Sequence, residues 1–446
     1  MRNILATFTA LLLCSGAVFA QEGTRRTGWK ASPFPALAFD TNNGLQLGVF
    51  GDVYYYGDGA TYPEPLQKFS FEASHFTKGR TRLRLSYDSK YLIPGMRLTL
   101  SAIYVHDPLY RFYGFNGAAS PYHQELNGLQ DDGRILRFNS MRRTYFQGFA
   151  NVQGAIAGPL NWAAGITYWY YRTGAFDGKK FEADPAFSLY QRYVNAGLIG
   201  QEEKDGGHVL ELRAGLAYNS RDIEAAPNRG INADLFLNGV PDLNGSGHAY
   251  LRLCANFSHF VRIPVGFIAA GDPVFAYHIG YQHTWGDAPF YIQQNIPQLV
   301  PRRIMSEGLG GSGTIRGTYE NRIIADGFAW ANTELRIKIV RFQLFKQDFY
   351  IAANPFFDCG MITKTYRMDR MDALFPPYSG MTDIATFRKA LDDRHRQAGT
   401  FVMSAGLGLK LAWNENFILS AEVGRNLNQN GMGGPFWLNL ITNYSF

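Results

Sequence analysis

The feature that most constrains this chain is an alternation of apolar and polar residues with a period of two. In the segment 80–88, Leu83, Leu85 and Tyr87 alternate with arginine, serine and aspartate, and 436–446 alternates in the same way. A period of two places successive side chains on opposite faces of a β-strand. The chain therefore consists mainly of strands with one apolar and one polar face. The apolar face packs in a protein core in a soluble sandwich and contacts lipid in a membrane barrel.

Segment length and aromatic placement favour hydrocarbon as that medium. The alternating segments are about nine to fifteen residues long, whereas strands of soluble sheets have about five or six. A tilted strand needs about nine to eleven residues to cross a bilayer. Aromatic residues cluster at segment ends, as at 54–56 and 168–171, and Phe446 ends the chain. Barrels of the outer membrane place aromatic girdles at these levels.

The connections between segments sort by length, which supports the same interpretation. Long connections, at 107–137, 174–207, 285–327 and 361–399, all fall on the same side as the loop 426–435, and the other side has short turns. Bacterial outer-membrane barrels have this pattern. The fold class we predict is all-β, a sixteen-stranded antiparallel transmembrane β-barrel. The predicted strands are 34–40, 44–56, 66–76, 80–89, 95–106, 138–154, 159–173, 208–220, 230–238, 248–260, 264–284, 328–340, 348–360, 400–412, 416–425 and 436–446.

The N-terminus predicts export. Arg2 is followed by a mostly apolar run that ends in Val18-Phe19-Ala20, a pattern typical of a secretory signal peptide. We expect a signal peptide at 1–20, a short periplasmic segment at 21–33 and the barrel at 34–446. The expected location is the outer membrane of a Gram-negative bacterium.

A glycine-rich stretch at 308–322 first suggests nucleotide binding. Gly308, Gly310 and Gly313 satisfy G-x-G-x-x-G, but the dinucleotide site needs a strand before these glycines and a helix after them. Neither is predicted here. A phosphate-binding P-loop fails as well, because Thr314 stands where that motif requires lysine. We therefore expect no cofactor.

The same stretch continues into a family resemblance. Ile315, Arg316 and Gly317 resemble the [V/I]-R-G-[F/Y] signature of the BamA/TamA (bacterial surface antigen) superfamily of outer-membrane barrels. The segment 332–336 is similar to that family's G-x-x-E-x-R strand, and 356–360 matches its F-x-D-x-G strand. The resemblance implies that the loop 285–327 folds into the lumen, where its arginine meets an acidic group of the inner wall.

The resemblance extends over the whole mature chain, with departures. The segment 221–230 is similar to the family's R-D…P-x-x-G periplasmic turn, and 34–48 resembles its opening hairpin. Thr318 occupies the usual aromatic position, with Tyr319 one residue later, and Ala331 replaces a family glycine. Assembly-type members carry periplasmic POTRA domains before the barrel, and 21–33 leaves room for none. We therefore expect a member without POTRA domains.

The alternation also identifies partners for the arginine. Glu334 and Arg336 share the polar face of one predicted strand, and Asp358 lies on the polar face of the next. A basic residue on the lipid face near the midplane costs about 2–4 kcal/mol, so these side chains face the lumen. Arg316 is then able to form a bidentate pair with a carboxylate. The alternative is that Glu334 and Arg336 pair with each other, which does not exclude Arg316.

Three functions remain open. The resemblance implies outer-membrane biogenesis, in which proteins or lipids are inserted or translocated through a weak seam between first and last strands. Pro33 and Pro35 favour such a seam because proline removes a donor and belongs at edges; Tyr444 and Phe446 end the strand opposite. The implied partners are outer-membrane lipids, client outer-membrane proteins and other subunits of a membrane complex.

The alternatives are a passive or selective channel and a structural barrel in a larger complex. A channel would be lined by residues such as Arg80, Arg82 and Arg84. An enzyme is the least supported class, because the nine histidines form no H-E-x-x-H pattern and no G-x-S-x-G is present. The two cysteines of the predicted mature chain, Cys254 and Cys359, make neither a disulfide scaffold nor a zinc site. Basic runs with interleaved aromatics are missing, so we expect no nucleic acid partner.

Overall fold

The fold is seen in a computed structural model of the chain. The structure describes residues 26–40, 43–62, 64–224, 226–241, 248–266, 270–299, 306–344, 347–373, 384–413, 417–428 and 431–442. The predicted signal peptide at 1–20, Tyr444 and Phe446 lie outside these ranges. Within them, no helix is both long enough and apolar enough to cross a membrane.

The described residues form a closed barrel of sixteen antiparallel strands, each paired with its neighbours in sequence, and the last paired with the first. The predicted fold class and strand number are confirmed. The strands are β1 (Trp29–Asp40), β2 (Gly44–Tyr55), β3 (Gln67–Phe76), β4 (Thr81–Ile93), β5 (Met96–Arg111), β6 (Ser140–Ala157), β7 (Leu160–Gly174), β8 (Gly206–Asn219), β9 (Gly230–Val240), β10 (Tyr250–Arg262), β11 (Val274–Gly286), β12 (Gly327–Leu344), β13 (Gln347–Lys364), β14 (Val402–Trp413), β15 (Phe417–Asn426) and β16 (Trp437–Thr442).

The two faces of the wall differ as the alternation predicts. On β4, Leu83 and Leu85 are 46% and 58% exposed, whereas Glu72, on the neighbouring strand β3, is 4% exposed. Leu210 and Leu407 are also about half exposed on strands elsewhere in the barrel. An apolar belt of this extent is foreign to the surface of a soluble monomer and fits a hydrocarbon environment.

The long connections pack together into a cap over one end of the barrel. Phe115, Tyr193, Phe290 and Tyr366 come from four different connections and share one buried apolar cluster. The ring of Phe115 lies 5.2 Å from that of Tyr193 and 4.8 Å from that of Tyr366, both edge-on. We call this end the capped end and the opposite end, which the long connections do not cover, the open-turn end.

The cap contains short helices and one small hairpin. The helices are α1 (Gly178–Phe181), α2 (Leu189–Asn195), α3 (Phe290–Gln293), α4 (Met368–Ala373) and α5 (Ile384–Ala398). The hairpin pairs Asn127–Leu129 with Ile135–Arg137. Local pairing of this kind satisfies backbone groups in connections that the barrel ladder does not reach.

The N-terminal boundary of the barrel was predicted wrongly. β1 begins at Trp29 and pairs with β2 along its whole length, so residues 29–33 belong to the wall and not to the predicted periplasmic segment at 21–33. The prolines at 33 and 35 concealed this, because proline weakens a strand pattern. β1 accommodates both prolines because it pairs with β2 along its whole length. In this pairing Pro33 lies opposite Gly51 and Pro35 opposite Val49.

Candidate functional site

The glycine-rich loop between β11 and β12 packs against the buried face of the wall. Leu309, Ile315 and Ile323 are fully or almost fully buried in one cluster with Phe328 and Trp330 of β12. The described part of the loop therefore has an apolar core of its own. That the whole segment 285–327 lies in the lumen stays a prediction, since 300–305 are outside the described residues.

Glycine is required where the loop approaches the opposite wall. Gly317 has a φ of +82°, and a Cβ added there would lie 2.9 Å from the carbonyl carbon of Arg425 on β15. L-residues with side chains rarely adopt this conformation, and no room exists for one. Gly317 thereby lets the backbone turn directly after Arg316 and touch β15.

Arg316 is completely buried and is held mainly by Asp358 of β13. Its Nε and Nη2 donate to the two carboxylate oxygens of Asp358, each at 2.8 Å, and its backbone N–H donates to the same carboxylate at 3.0 Å. The guanidinium lies 3.8 Å from the centroid of the Phe356 ring. A bidentate pair of this geometry fixes both the position and the orientation of the loop.

The remaining guanidinium nitrogen extends the contact to two other strands. Nη1 of Arg316 lies 3.1 Å from Glu334 of β12 and 3.4 Å from Glu422 of β15. One side chain therefore joins three strands of the wall, β12, β13 and β15. β15 pairs with the terminal strand β16, so the network ends one strand away from the β16–β1 contact that closes the barrel.

Two more cations complete the network. Arg336 donates to Glu334 at 2.6 Å, and Lys410 of β14 donates to Glu422 at 2.6 Å. With Arg316 and Asp358, the network holds three cations and three carboxylates, and every member is at most 4% exposed. A buried charge is tolerated only when it is paired and hydrogen-bonded. Because the three positive and three negative charges balance, six ionised groups are tolerated in one buried site.

The network continues to the open-turn end through the turn between β8 and β9. Nη1 of Arg336 donates to the carbonyl of Pro227 at 3.4 Å, and Lys338 donates to Asn228 at 3.1 Å. The turn is itself ordered by Asp222, which accepts backbone N–H groups including those of Asn228 and Arg229. These hydrogen bonds lower the pKa of the Asp222 carboxyl although partial burial raises it.

The structure brings together the residues singled out in the sequence and adds two that were missed. Arg316, Glu334, Arg336 and Asp358 all belong to the network, and both arrangements considered, Arg316 with Asp358 and Glu334 with Arg336, are present. Their functional role stays a prediction.

The two missed members are Lys410 and Glu422. Lys410 is the one charged residue of β14, and Glu422 is the one acidic residue of β15, each amid apolar and small residues. An isolated charge of this kind marks a lumen-facing position. No sequence pattern indicated that these strands lie opposite the Arg316 loop.

The departure from the family signature at Thr318 also has a structural account. Thr318 is fully buried, and its hydroxyl accepts a hydrogen bond from Asn426 at 2.8 Å. Tyr319 supplies the aromatic ring one residue later and stacks on Tyr113 of the cap at a centroid distance of 5.7 Å. The aromatic contact thus links loop and cap.

The pairing of β1 with β16 is short in the described residues. It consists of Phe39 opposite Leu440 and Asp40 opposite Asn439. The other face of β1 is paired with β2 at all twelve of its positions. We call the β1–β16 contact the seam. Residues 443–446, including the predicted seam residues Tyr444 and Phe446, lie outside the described residues.

The lumenal arginines near the seam are engaged in ion pairs. Arg80 lies 2.8 Å from Asp107 and 3.5 Å from Glu320 of the glycine-rich loop. Arg82 lies 2.5 Å from Glu72. These are fixed contacts of wall and loop. In the part of the chain that the structure describes, no group of histidine, cysteine and acidic residues is arranged to hold a metal ion.

Known structures share this architecture, although no family model and no curated protein matches the sequence. The structure of BamA from Haemophilus ducreyi lacking POTRA domains 1–3 aligns with a TM-score of 0.54 at 14% identity, over 94% of this chain and 70% of that one. CdiB from Escherichia coli aligns with a TM-score of 0.53 at 10% identity, over 94% of this chain and 64% of that one. At these identities the likeness concerns the fold.

Proposed function

We propose that this chain, which has the fold of the BamA/TamA-type outer-membrane barrels, acts in outer-membrane biogenesis. In this proposal it inserts or translocates proteins or lipids at the Gram-negative outer membrane through the seam between β1 and β16. Its partners are outer-membrane lipids together with client proteins or other subunits of a membrane complex.

The observation that carries the proposal is the position of Pro33 and Pro35 on β1, the strand that closes the barrel against β16. Proline has no backbone N–H to donate, so these two positions weaken any ladder that β1 forms. A strand edge that opens offers N–H and C=O groups to an incoming strand.

A cavity behind the seam supports the same proposal. It has a volume of about 90 Å³ and is lined by Gln46, Arg82, Trp437 and Asn439 and by glycines of the loop. Strands that close a barrel without dense packing behind them need less work to separate. The seam therefore has weak support from the interior of the barrel.

The Arg316 network serves in this proposal as a brace. It ties β12, β13 and β15 through one buried side chain, so the wall is held rigid up to the strand next to β16. Opening would then be confined to β16 and β1. Arg316 is a positioning residue in this mechanism, because it acts through the wall and contacts no client.

The channel alternative receives less support. A steadily open pore needs a clear path lined by available charges, whereas Arg80 and Arg82 are paired with carboxylates and the cap covers one end. Single-channel recording distinguishes the two functions: rare openings agree with the seam proposal, and a constant large conductance agrees with the channel.

A disulfide lock tests the seam directly. Phe39 faces Leu440 across the seam and Leu45 on its other side, and residues directly opposite in an antiparallel pair are within disulfide range. Phe39→Cys with Leu440→Cys closes the seam; Phe39→Cys with Leu45→Cys is the matched control. Cys254 and Cys359 are first replaced by serine.

Cells that depend on the locked barrel should lose normal outer-membrane protein or lipid composition and regain it on reduction. The control lock should leave the composition unchanged, because it joins strands that are already paired along their length. If both locks permit a normal outer membrane, the seam does not open during function and the proposal is wrong.

A further inference from the structure

A second pocket, separate from the seam, opens at the capped end. It has a volume of about 490 Å³. Its walls include the β3–β4 turn, the end of β5, the small hairpin of the cap, helix α1 and part of the glycine-rich loop. Because the lining comes from segments that are far apart in the sequence, the pocket is a product of the tertiary fold.

The lining is strongly basic. Five basic and two acidic side chains face the pocket, which gives a formal charge of +3. The basic residues are Lys78, Arg80, Arg111, Arg137 and Lys180, and the acidic residues are Asp107 and Glu320. Both carboxylates contact Arg80. Arg80 and its two partners together carry a formal charge of −1, and the other four basic residues carry +4.

Two of these cations contact the same aromatic ring. The guanidinium of Arg137 and the ammonium of Lys180 each lie 5.4 Å from the ring centroid of Phe181. Arg137 also donates from Nε to the carbonyl of Phe181 at 3.4 Å, which leaves both terminal nitrogens of its fork for another acceptor. The ring attracts each cation, but it does not neutralise either.

No carboxylate of the described residues forms an ion pair with Arg111, Arg137 or Lys180. Arg111 donates instead to the hydroxyl of Tyr113 at 3.3 Å and lies 6.0 Å from the centroid of the Tyr319 ring. Partial burial lowers the pKa of Arg137. Neighbouring like charges without a counter-ion repel each other, and an anion in the pocket would relieve that repulsion.

We propose that this pocket binds a phosphate group through Arg137, with Lys180 and Arg111 supplying further charge. The free fork of Arg137 matches the two oxygens of a phosphate, which an arginine binds bidentately. Two ligands carry such a phosphate group at this end of the barrel: a membrane glycolipid with a phosphorylated headgroup, and free phosphate. The inference is independent of the seam and of the proposed function.

Binding measurements on the full chain in detergent micelles test this site. Inorganic phosphate alone is the first probe; micelles doped with a phosphorylated glycolipid, and with the same lipid after phosphatase treatment, are the second and third. Arg137→Gln should weaken phosphate binding about ten-fold, the loss expected for one charged hydrogen-bonding group. Arg137→Lys should retain part of the phosphate affinity, because lysine keeps the positive charge but lacks the two parallel N–H donors of the guanidinium.

Arg134→Gln is the matched control, since Arg134 lies in the same connection, is exposed and pairs with Asp132. It should bind phosphate like the unaltered chain. Resistance of each folded barrel to unfolding in sodium dodecyl sulfate verifies that the variants are intact.

Tighter binding of the phosphorylated lipid than of phosphate identifies a headgroup site, and equal binding identifies a free-phosphate site; both support the proposal. The site does not exist if the unaltered chain binds none of the phosphorylated probes, or if Arg137→Gln binds them equally well.

Discussion

Arg316 and Arg322 lie six residues apart in the same loop, and both are completely buried, yet they are held in opposite ways. Arg316 meets carboxylates on three strands of the wall. Arg322 meets backbone carbonyls of the cap: Nη1 donates to Gly117 and Nη2 to Ser120, both at 2.9 Å, and Nε donates to Gly431 at 3.0 Å.

The difference shows that two buried arginines of the same loop make two different kinds of attachment. Carbonyl oxygens satisfy the donors of Arg322 but do not neutralise its charge, and burial accordingly lowers its pKa to about 10. The Arg316 network is neutral as a whole, so removing one member leaves the others uncompensated. Arg316 therefore joins the loop to the wall by charge, and Arg322 joins it to the cap by hydrogen bonds.

The largest loss of stability is expected when the contacts of Arg316 with the carboxylates of the wall are removed. Arg316→Ala leaves Asp358, Glu334 and Glu422 with one cation fewer in a buried site, and breaking a buried pair in this way costs about 3–5 kcal/mol. Unfolding of the barrel by urea in lipid vesicles should show a destabilisation of that order. An unchanged unfolding midpoint together with a normal outer-membrane composition would contradict the brace.

The double variant Arg316→Ala with Asp358→Asn sharpens the result. It removes one cation and one anion, so the charge balance returns. Its destabilisation should be smaller than the sum of the two single variants, with a coupling of about 0.5–3 kcal/mol, the range found for residues in contact. Additive losses would mean that the two side chains act separately.

A smaller effect is expected when the attachment to the cap is broken. Arg322→Ala deprives three buried carbonyls of a donor, at about 1–3 kcal/mol for an unsatisfied buried group, and this is partly offset because a buried cation is removed. Limited proteolysis should cut the long connections faster while the unfolding midpoint of the barrel changes little. Equal loss of barrel and cap stability would show that wall and cap are one cooperative unit.

The smallest effect is expected at an exposed ion pair of the cap. Arg134→Ala removes a contact with Asp132 between two solvent-exposed side chains, and exposed pairs contribute about 0–1 kcal/mol. Neither proteolysis nor the urea midpoint should change measurably. A large effect here would show that charge removal in general, and not the buried contacts, accounts for the results at Arg316 and Arg322.

The architecture of the wall follows from a local pattern in the amino-acid sequence. A period of two assigns every residue of a strand to one of two faces, and the apolar face is too extensive for a soluble sheet. For this reason sixteen strands and their order were predicted, and all sixteen are present. The largest boundary error is at β11, which begins at Val274 and not at the predicted 264. Another is at Trp29, where two prolines hid the start of β1. The same alternation placed Glu334, Arg336 and Asp358 on the inner face.

Which inner-face charges meet depends on the folded barrel and could not be predicted. Lys410 and Glu422 are 94 and 106 residues from Arg316 along the chain. Glu422 reaches Arg316, and Lys410 joins through Glu422, because the closed barrel brings β14 and β15 to the loop. Arg322 likewise finds its carbonyls only after the connections have packed into a cap. Alternation fixes the face on which a side chain lies, but partners across a lumen depend on closure and register, which no local pattern encodes.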